Sequence, residues 1–366
     1  MKHIVCFHLF NDYSGSPKVL KMVLEGLLKK GYQVDLVSSR NGVLDELLHY
    51  KNLHKHSYPY KFSNNTLLTM LRYCIVQLYT FFLSFRWLFC KDVVFYINTL
   101  LPVCPALAGR MMGKRVVYHY HENAFVKGAF YKTLAVLMQK LAHEIICVSK
   151  YQASFLKRTR GVTVIPNALP KEFTDKLIYA PEAAFKRQTV LMLSSLKDYK
   201  GTREFIQLSQ RLPGYKFVLV INDTQENIDK YLYDNKLTNI KGGGNLTIHT
   251  RQENVAPFYN STSLVINLTN PQFAVETFGL TPLEAMSAGV PVIVPTVGGI
   301  AEMVEDDVNG YKIDVQYLNA IEVKIRQMFE DEKLYSKLSN NAVLYSTRYN
   351  PYDTLDKIIY ILSNNG

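Results

Sequence analysis

Glu276 and Glu284, two carboxylates eight positions apart, carry the strongest chemical signal in this 366-residue chain. They lie in VETFGLTPLEAMSAGVPVIVPTVGGIAEMVEDDVNG (residues 275–310), on either side of a predicted helix start. Thr281 and Glu284 have capping-box spacing, Pro282 takes the first helical position, and Gly289 stands at the helix end. Gly279 lies just before the predicted cap. Backbone N–H groups and the positive end of the helix dipole therefore face whatever sits there, and a phosphate-bearing ligand suits that place. Glu276 approaches such a ligand from the preceding loop and Glu284 from the first helical turn. One carboxylate beside a phosphate is unfavourable, but two flanking carboxylates suit hydroxyl-rich groups at either end of the ligand. On spacing alone, a helix cap and a solvated loop acid remain an equal reading of the pair.

Other positions could join this chemistry. His121 follows the apolar run Val116–Tyr120 and so ends a predicted strand, the place where α/β proteins build their sites. Glu122 either orients it or is exposed, and His119 is expected to point away by strand alternation. The first β–α loop, Asn11–Pro17, holds the single glycine Gly15. It lacks the G-x-G-x-x-G fingerprint, which argues against a nicotinamide or flavin dinucleotide. No D-x-D pair and no His/Asp cluster suggests an obligatory divalent metal.

The elements that must position these residues alternate between strand and helix. Ile4–Phe10 is an apolar run, Lys18–Lys30 a helical pattern with Val19, Leu20, Val23, Leu24, Leu27 and Leu28 on one face, and Val34–Val37 a second strand. Strands follow at Val93–Ile97, Val116–Tyr120, Ile145–Val148 and Val162–Ile165. After the turn-rich stretch Pro166–Pro181 the pattern restarts with strands Val190–Leu193, Phe217–Ile221, Leu246–His249, Leu264–Ile266 and Val292–Val294, and helices Gly201–Arg211 and Pro282–Ala288. The length suits two domains. The expected fold class is α/β: two Rossmann-like parallel-sheet domains, residues 1–168 and 169–349, facing across a cleft.

Charge divides along the chain. Residues 1–180 hold 24 Lys+Arg against 10 Asp+Glu, and residues 181–366 hold 18 against 21, a net of +14 and −3 within the total of +11. A basic half suggests an anionic surface as partner. No helix-turn-helix, zinc-finger or aromatic RNA-binding signature accompanies the charge, so no nucleic acid is expected and an anionic bilayer is the better candidate. Cys6, Cys74, Cys90, Cys104 and Cys147 lack metal or disulfide spacing and fit a reduced, cytoplasmic setting. The first residues, MKHIVCFHLFNDYSG, turn polar too soon for a secretory signal and read as a strand.

Thr66–Lys91, TLLTMLRYCIVQLYTFFLSFRWLFCK, is the most apolar stretch. Arg72 and Arg86 leave an uncharged core of 13 residues, Tyr73–Phe85, short of the roughly 18–20 that cross a bilayer. It reads either as a buried helix of the first domain or as an interfacial helix, with Trp87 and several Phe and Tyr between basic flanks. The second reading puts the protein in the cytoplasm and peripherally on the inner face of the cell membrane.

The 275–310 segment resembles the retaining, nucleotide-sugar-dependent glycosyltransferases of family 4 (glycosyltransferase group 1), which have the GT-B fold. The signature E-x-F-G-x-x-x-x-E-A-M, a G-x-P-V segment and a Gly-Gly pair before an acidic residue are matched by Glu276, Phe278, Gly279, Glu284, Ala285, Met286, Gly289, Pro291, Val292, Gly298, Gly299 and Glu302. The likeness extends to Cys147-Val148-Ser149, to Val164-Ile165-Pro166-Asn167, and to Leu193–Gly201, which resembles the family's G-R-L…K-G segment. It implies a UDP-sugar donor, a glycan acceptor, work in cell-surface polysaccharide or lipopolysaccharide synthesis, and no metal or other cofactor; the basic first domain and the Thr66–Lys91 helix add the expectation of a lipid-linked glycan acceptor. It also implies that a helix at about 350–366 packs back on the first domain.

The resemblance assigns roles residue by residue. His121 and Glu276 would contact the donor sugar, Lys200 would neutralise the diphosphate, and Glu284 would hold the ribose hydroxyls. Phe278, Gly279 and Leu280 would offer backbone contacts near the diphosphate, and Gly15 belongs to the loop that approaches it. Ser149 is a candidate ligand contact, Asn167 is mostly structural, and Ile248–Arg251 weakly matches the strand end that holds the base. Ser195 stands where the family has an arginine, and Lys197 is a candidate replacement for that charge. Two rivals remain: a nucleotide-sugar epimerase of similar fold and a non-catalytic partner subunit.

Overall fold

The structure is a computed structural model and describes residues 3–63, 65–125, 128–237 and 244–363. The chain divides into two units, Met1–Ala168 with Pro351–Gly366, and Leu169–Asn350.

In the first unit the strands are β1 (His3–His8), β2 (Gln33–Ser39), β3 (Leu53–Tyr58), β4 (Val93–Asn98), β5 (Arg115–Tyr120), β6 (Glu144–Cys147) and β7 (Val162–Val164). Their order is β3-β2-β1-β4-β5-β6-β7, all parallel. Parallel strands are covered on both faces, and β1 shows how: Val5 and Phe7 enter one apolar cluster while Ile4 and Cys6 enter another. The helix Gly15–Lys29 covers the second face with Leu20, Val23, Leu24 and Leu27, each stabilising by about 1.5–3 kcal/mol when fully buried. It starts three residues before the predicted Lys18, because Ser14 provides the extended cap and Pro17 is accepted in the first turn. β3, LHKHSY, has no apolar run and was not expected. It is an edge strand, paired only with β2 among the described strands.

The last helix, Pro351–Ser363, belongs to the first unit. Ile358, Ile361 and Leu362 join the second apolar cluster, Lys30 Nζ meets Asp356 Oδ1 at 2.5 Å, and Tyr32 OH lies 2.7 Å from Ser363 Oγ.

The second unit contains β8 (Thr189–Ser194), β9 (Lys216–Ile221), β10 (Leu246–His249), β11 (Leu264–Ile266), β12 (Val292–Val294) and β13 (Gly310–Lys312), in the order β10-β9-β8-β11-β12-β13, again parallel. β13, GYK, carries no apolar run, unlike the equally short β11 (LVI) and β12 (VIV), and was not expected. In each unit the order of strands reverses once, between β1 and β4 and between β8 and β11. Loops leaving adjacent strands part there, and the opening at the carboxyl ends is where such sheets bind ligands.

The Thr66–Lys91 stretch forms a helix over Thr66–Ser84 and a 3₁₀ turn over Phe85–Trp87. It is not a buried helix: Leu67, Leu71, Ile75, Leu78 and Phe82 are exposed. Trp87, expected as an interfacial anchor, is 2% exposed and donates its indole N–H to Asp35 Oδ2 at 3.0 Å.

Candidate active site

At the reversal in the second sheet, β8 ends in Ser194 and passes through Ser195 into the turn Asp198–Lys200. β11 runs into Asn267–Thr277 on the other side. The two loops are tied by Asn270 N–H donating to Tyr199 C=O at 2.7 Å. The tie brings Lys200 and Glu276, 76 positions apart in sequence, into an ion pair between Nζ and Oε1. Thr269 Oγ1 donates to the same Oε1 at 3.2 Å. The two side chains are 23% and 25% exposed, so both are half-buried and reachable from solvent. Ser195 heads the turn that ends in Lys200, and its carbonyl accepts from Lys197 N–H at 2.8 Å. Lys197 itself is exposed.

The helix after Glu276 spans Leu280–Ser287, with Gly279 as its N-cap at φ 96° and no side-chain cap hydrogen bond. This corrects the capping-box expectation. Thr281 and Pro282 are already inside the helix, so Thr281 cannot act as its cap, and Glu284 lies in the second turn. Relieved of capping, Glu284 accepts through Oε2 from Tyr259 OH. Burial and the neighbouring carboxylate hold the Tyr259 phenol well above its usual pKa, so it remains a donor. Phe278 is buried, packed edge-on against Tyr349 with ring centroids 5.6 Å apart; only its backbone is placed to serve a ligand. Leu280 opens the helix.

The Gly298–Gly299 pair has a steric reason. Gly299 N–H donates to Glu276 C=O at 2.9 Å. A Cβ on Gly298, which has φ 114°, would stand 2.5 Å from that same carbonyl oxygen. The pair fixes the backbone of Glu276 by close approach.

In the first unit, β1, β4 and β5 end in His8, Asn98 and Tyr120, with His121 following directly. Asn98 joins two of the rings: its Nδ2 lies 3.0 Å from His8 Nδ1, and its Oδ1 lies 3.0 Å from His121 Nε2. An amide oxygen only accepts and an amide nitrogen only donates. His121 therefore carries its proton on Nε2 and His8 is unprotonated on Nδ1. Burial depresses both pKa values, that of His8 to about 4 and that of His121 well below the usual range, with His119 and His8 adding repulsion to His121. His119 does not point away. It is two positions from His121, on the same face by alternation, and the rings are 4.2 Å apart. Its Nδ1 meets Tyr96 OH at 2.6 Å, and burial lowers its pKa to about 3. His8 Nε2 and His119 Nε2 are buried with no hydrogen-bond partner among the described residues.

Glu122 accepts from Leu100 N–H through both oxygens, at 3.2 and 3.1 Å, and so holds the turn after β4. Ser149, the expected ligand contact, caps its own helix by accepting from Gln152 N–H at 3.1 Å. Gly15 is exposed at the first position of its helix, behind Asp12, which accepts from Ser14 N–H at 3.0 Å. Arg251 turns back to Asn222 Oδ1 at 2.8 Å. Sequence reasoning missed Asn98, Tyr259 and Thr269. Each acts as a partner to a charged or titratable group; Asn98 and Thr269 lie at or near the carboxyl ends of β4 and β11, which could have drawn notice, whereas Tyr259 sits in the short helix Ala256–Asn260 before β11 and gave no signal.

Residues 175–344 match the family described as "Glycosyl transferases group 1", and residues 13–173 match "Glycosyltransferase Family 4". Between them the matches take in most of both units. The chain belongs to the group 1 glycosyltransferases.

This glycosyltransferase is 25% identical over 274 residues to the N-acetyl-alpha-D-glucosaminyl L-malate synthase of Bacillus anthracis, covering 68% of each chain. It is 22% identical over 252 residues to the poly(glycerol-phosphate) alpha-glucosyltransferase of Bacillus subtilis (strain 168), covering 67% of this chain and 36% of that one. In structure, 99% of the glycosyltransferase superposes on 99% of Anabaena Alr3699/HepE, solved with UDP and glucose, at a TM-score of 0.79 and 18% identity. The sucrose-phosphate synthase of Thermosynechococcus elongatus gives the same TM-score at 16% identity, with 99% and 98% of the chains covered. These likenesses show the GT-B fold.

Proposed function

We propose that this glycosyltransferase transfers a sugar from a UDP-sugar to a glycan acceptor with retention of anomeric configuration. The observation that carries the reading is the Lys200–Glu276 pair in front of the Gly279-capped helix. A diphosphate needs a cation and backbone N–H groups, and the sugar next to it needs a hydroxyl acceptor. Lys200, the Phe278–Leu280 backbone and Glu276 offer these side by side. Glu284 takes the ribose hydroxyls, since a carboxylate accepts two hydrogen bonds from a vicinal diol. Solved neighbours bound to UDP and UDP-glucose support the choice of nucleotide.

In the proposed reaction the bond between the anomeric carbon and the phosphate oxygen breaks as the acceptor oxygen bonds that carbon from the same face. The acceptor proton passes to the leaving phosphate. Lys200 stabilises the charge that develops there, so no metal is required. His121, neutral and protonated on Nε2, is assigned to the donor sugar by family resemblance. Ser195, at the arginine position, leaves Lys200 the principal cation of this loop.

The acceptor class proposed is a glycan or lipid-linked glycan of cell-surface polysaccharide or lipopolysaccharide synthesis, met by a cytoplasmic protein held peripherally at the membrane. A relative named for a poly(glycerol-phosphate) acceptor supports a surface polymer. A thermal-shift and nucleotide-release screen of UDP-, GDP- and ADP-sugars tests the donor. Stabilisation by UDP-sugars alone, lost in Glu284→Ala, is expected; a response confined to GDP- or ADP-sugars overturns it.

A further inference from the structure

The helix Thr66–Ser84 is inside out. Its buried positions are Tyr73, Val76, Gln77, Thr80 and Ser84, and the last three are polar. Thr80 Oγ1 donates to Val76 C=O at 2.8 Å and Ser84 Oγ to Thr80 C=O at 2.7 Å, while Gln77 Oε1 accepts from Cys104 N–H at 3.0 Å and its Nε2 is buried with no hydrogen-bond partner among the described residues. The outward stripe is Leu67, Leu71, Ile75, Leu78 and Phe82, from 57% to 81% exposed. A helix on a water-facing surface turns its apolar stripe inward, so this one is built for a medium other than water.

Two observations say which medium. The helix packs against Val103–Met111, which packs against Ala129–Leu141. These neighbours also expose large apolar side chains, Met111 at 64% and Val136 at 45%. The three helices carry Arg72, Arg110, Lys132 and Lys140 and no acidic residue. Two copies of such a face would set like charges against each other, whereas an anionic lipid surface is complementary to it. The geometry also decides between crossing and lying flat. Thr66–Trp87 passes as a span by length and hydropathy, but Tyr73 OH donates to Leu101 C=O at 2.8 Å, and Val76 and Trp87 sit in the core of the sheet domain. One side of the helix is committed to protein, so it can only lie along an interface.

We infer that the layer of Thr66–Ser84, Val103–Met111 and Ala129–Leu141 docks on anionic lipid, with the Leu67–Phe82 stripe in the acyl boundary and the cations at the headgroups. This deepens the membrane-surface part of the reading above and assigns it a surface; it does not depend on the donor chemistry. The test is co-sedimentation of the full chain, without donor or acceptor, with phosphatidylcholine vesicles that contain or lack phosphatidylglycerol. Binding to the anionic vesicles, weakened by salt, is expected. Leu71→Ser/Ile75→Ser should lower it by about tenfold or more, because two large apolar groups leave the lipid, while the melting temperature and UDP-sugar stabilisation stay unchanged. Failure to sediment at low salt overturns the proposal, as does equal binding by the double variant. A dimer that the double variant dissolves overturns it too, since a second copy would then cover the face. None of these results touches the donor assignment, which the nucleotide screen reads separately.

Discussion

Lys200 and Glu276 are each other's counter-charge, joined across the ends of β8 and β11. In water-accessible surroundings such a pair adds little stability, on the order of 0–1 kcal/mol. Its worth lies in holding both groups in place before a ligand arrives. In the proposed reaction a diphosphate would compete for the ammonium and sugar hydroxyls for the carboxylate, so one substrate would release both halves.

Lys200→Ala is expected to lower kcat by about 10²–10³-fold, the usual cost of removing one group that stabilises developing charge. Glu276→Gln should lower kcat/KM while UDP binding, measured by calorimetry, changes far less. Equal loss of UDP binding in both variants would place Glu276 at the nucleotide instead of the sugar.

Gly298→Ala forces a Cβ against the Glu276 carbonyl at a φ that side chains rarely adopt. Stability should fall by about 1–3 kcal/mol in denaturant unfolding, and activity should fall further than stability accounts for. Ala at the exposed Gly214, with open space around it, is the control.

Asn98 fixes the proton of His121 on Nε2 through a 3.0 Å contact. Asn98→Asp puts a carboxylate there, which favours the imidazolium and moves the acidic limb of the kcat/KM–pH profile to higher pH. Nitrogen-15 shifts of the His121 ring should report the change. An unmoved profile with lowered stability would make Asn98 structural only.

His8, His119 and His121 have folded pKa values below the unfolded value of about 6.5. The unfolded chain binds more protons than the folded one as pH falls, so stability is full above about pH 6.5 and declines below it. The slope is up to about 1.4 kcal/mol per pH unit for each histidine that titrates. Melting temperature should be flat near neutrality and drop from about pH 6.5 to 5, before most carboxylates titrate. A flat curve through that window would mean the histidines are not buried neutral.

Removal of divalent metal should leave the rate unchanged if, as proposed, Lys200 and the backbone at Gly279 supply the positive charge. The check is activity after dialysis against a chelator, with and without added magnesium. A rate restored only by magnesium would overturn the metal-free mechanism.

The two α/β sheets were legible because central strands such as Val93–Ile97 and Val190–Met192 are buried on both faces and read as apolar runs. β3 was not, because an edge strand needs no such run. The ends of the Glu276–Glu284 segment misled for another reason. Capping-box spacing is a local rule, and it yielded to a tertiary demand: Gly279 starts the helix early, and Glu284 is taken by Tyr259 from 25 positions away. Pairings such as Lys200–Glu276 and His121–Asn98 rest on strand order, which the linear pattern does not state. The Thr66–Lys91 helix was visible as a helix, but which of its faces meets the protein follows from polar partners such as Cys104 N–H.

The last helix gives the first unit an unusual birth order. Pro351–Ser363 completes the cluster around Leu20, Val23 and Leu27, yet it leaves the ribosome after the entire second unit. At roughly 5–20 residues per second, the nascent first unit waits on the order of ten seconds or more with an apolar groove uncovered. A chain stopped before Pro351 would leave Leu20, Val23 and Leu27 without that cover, so a cluster begun by the first helix depends on residues made after the whole second unit.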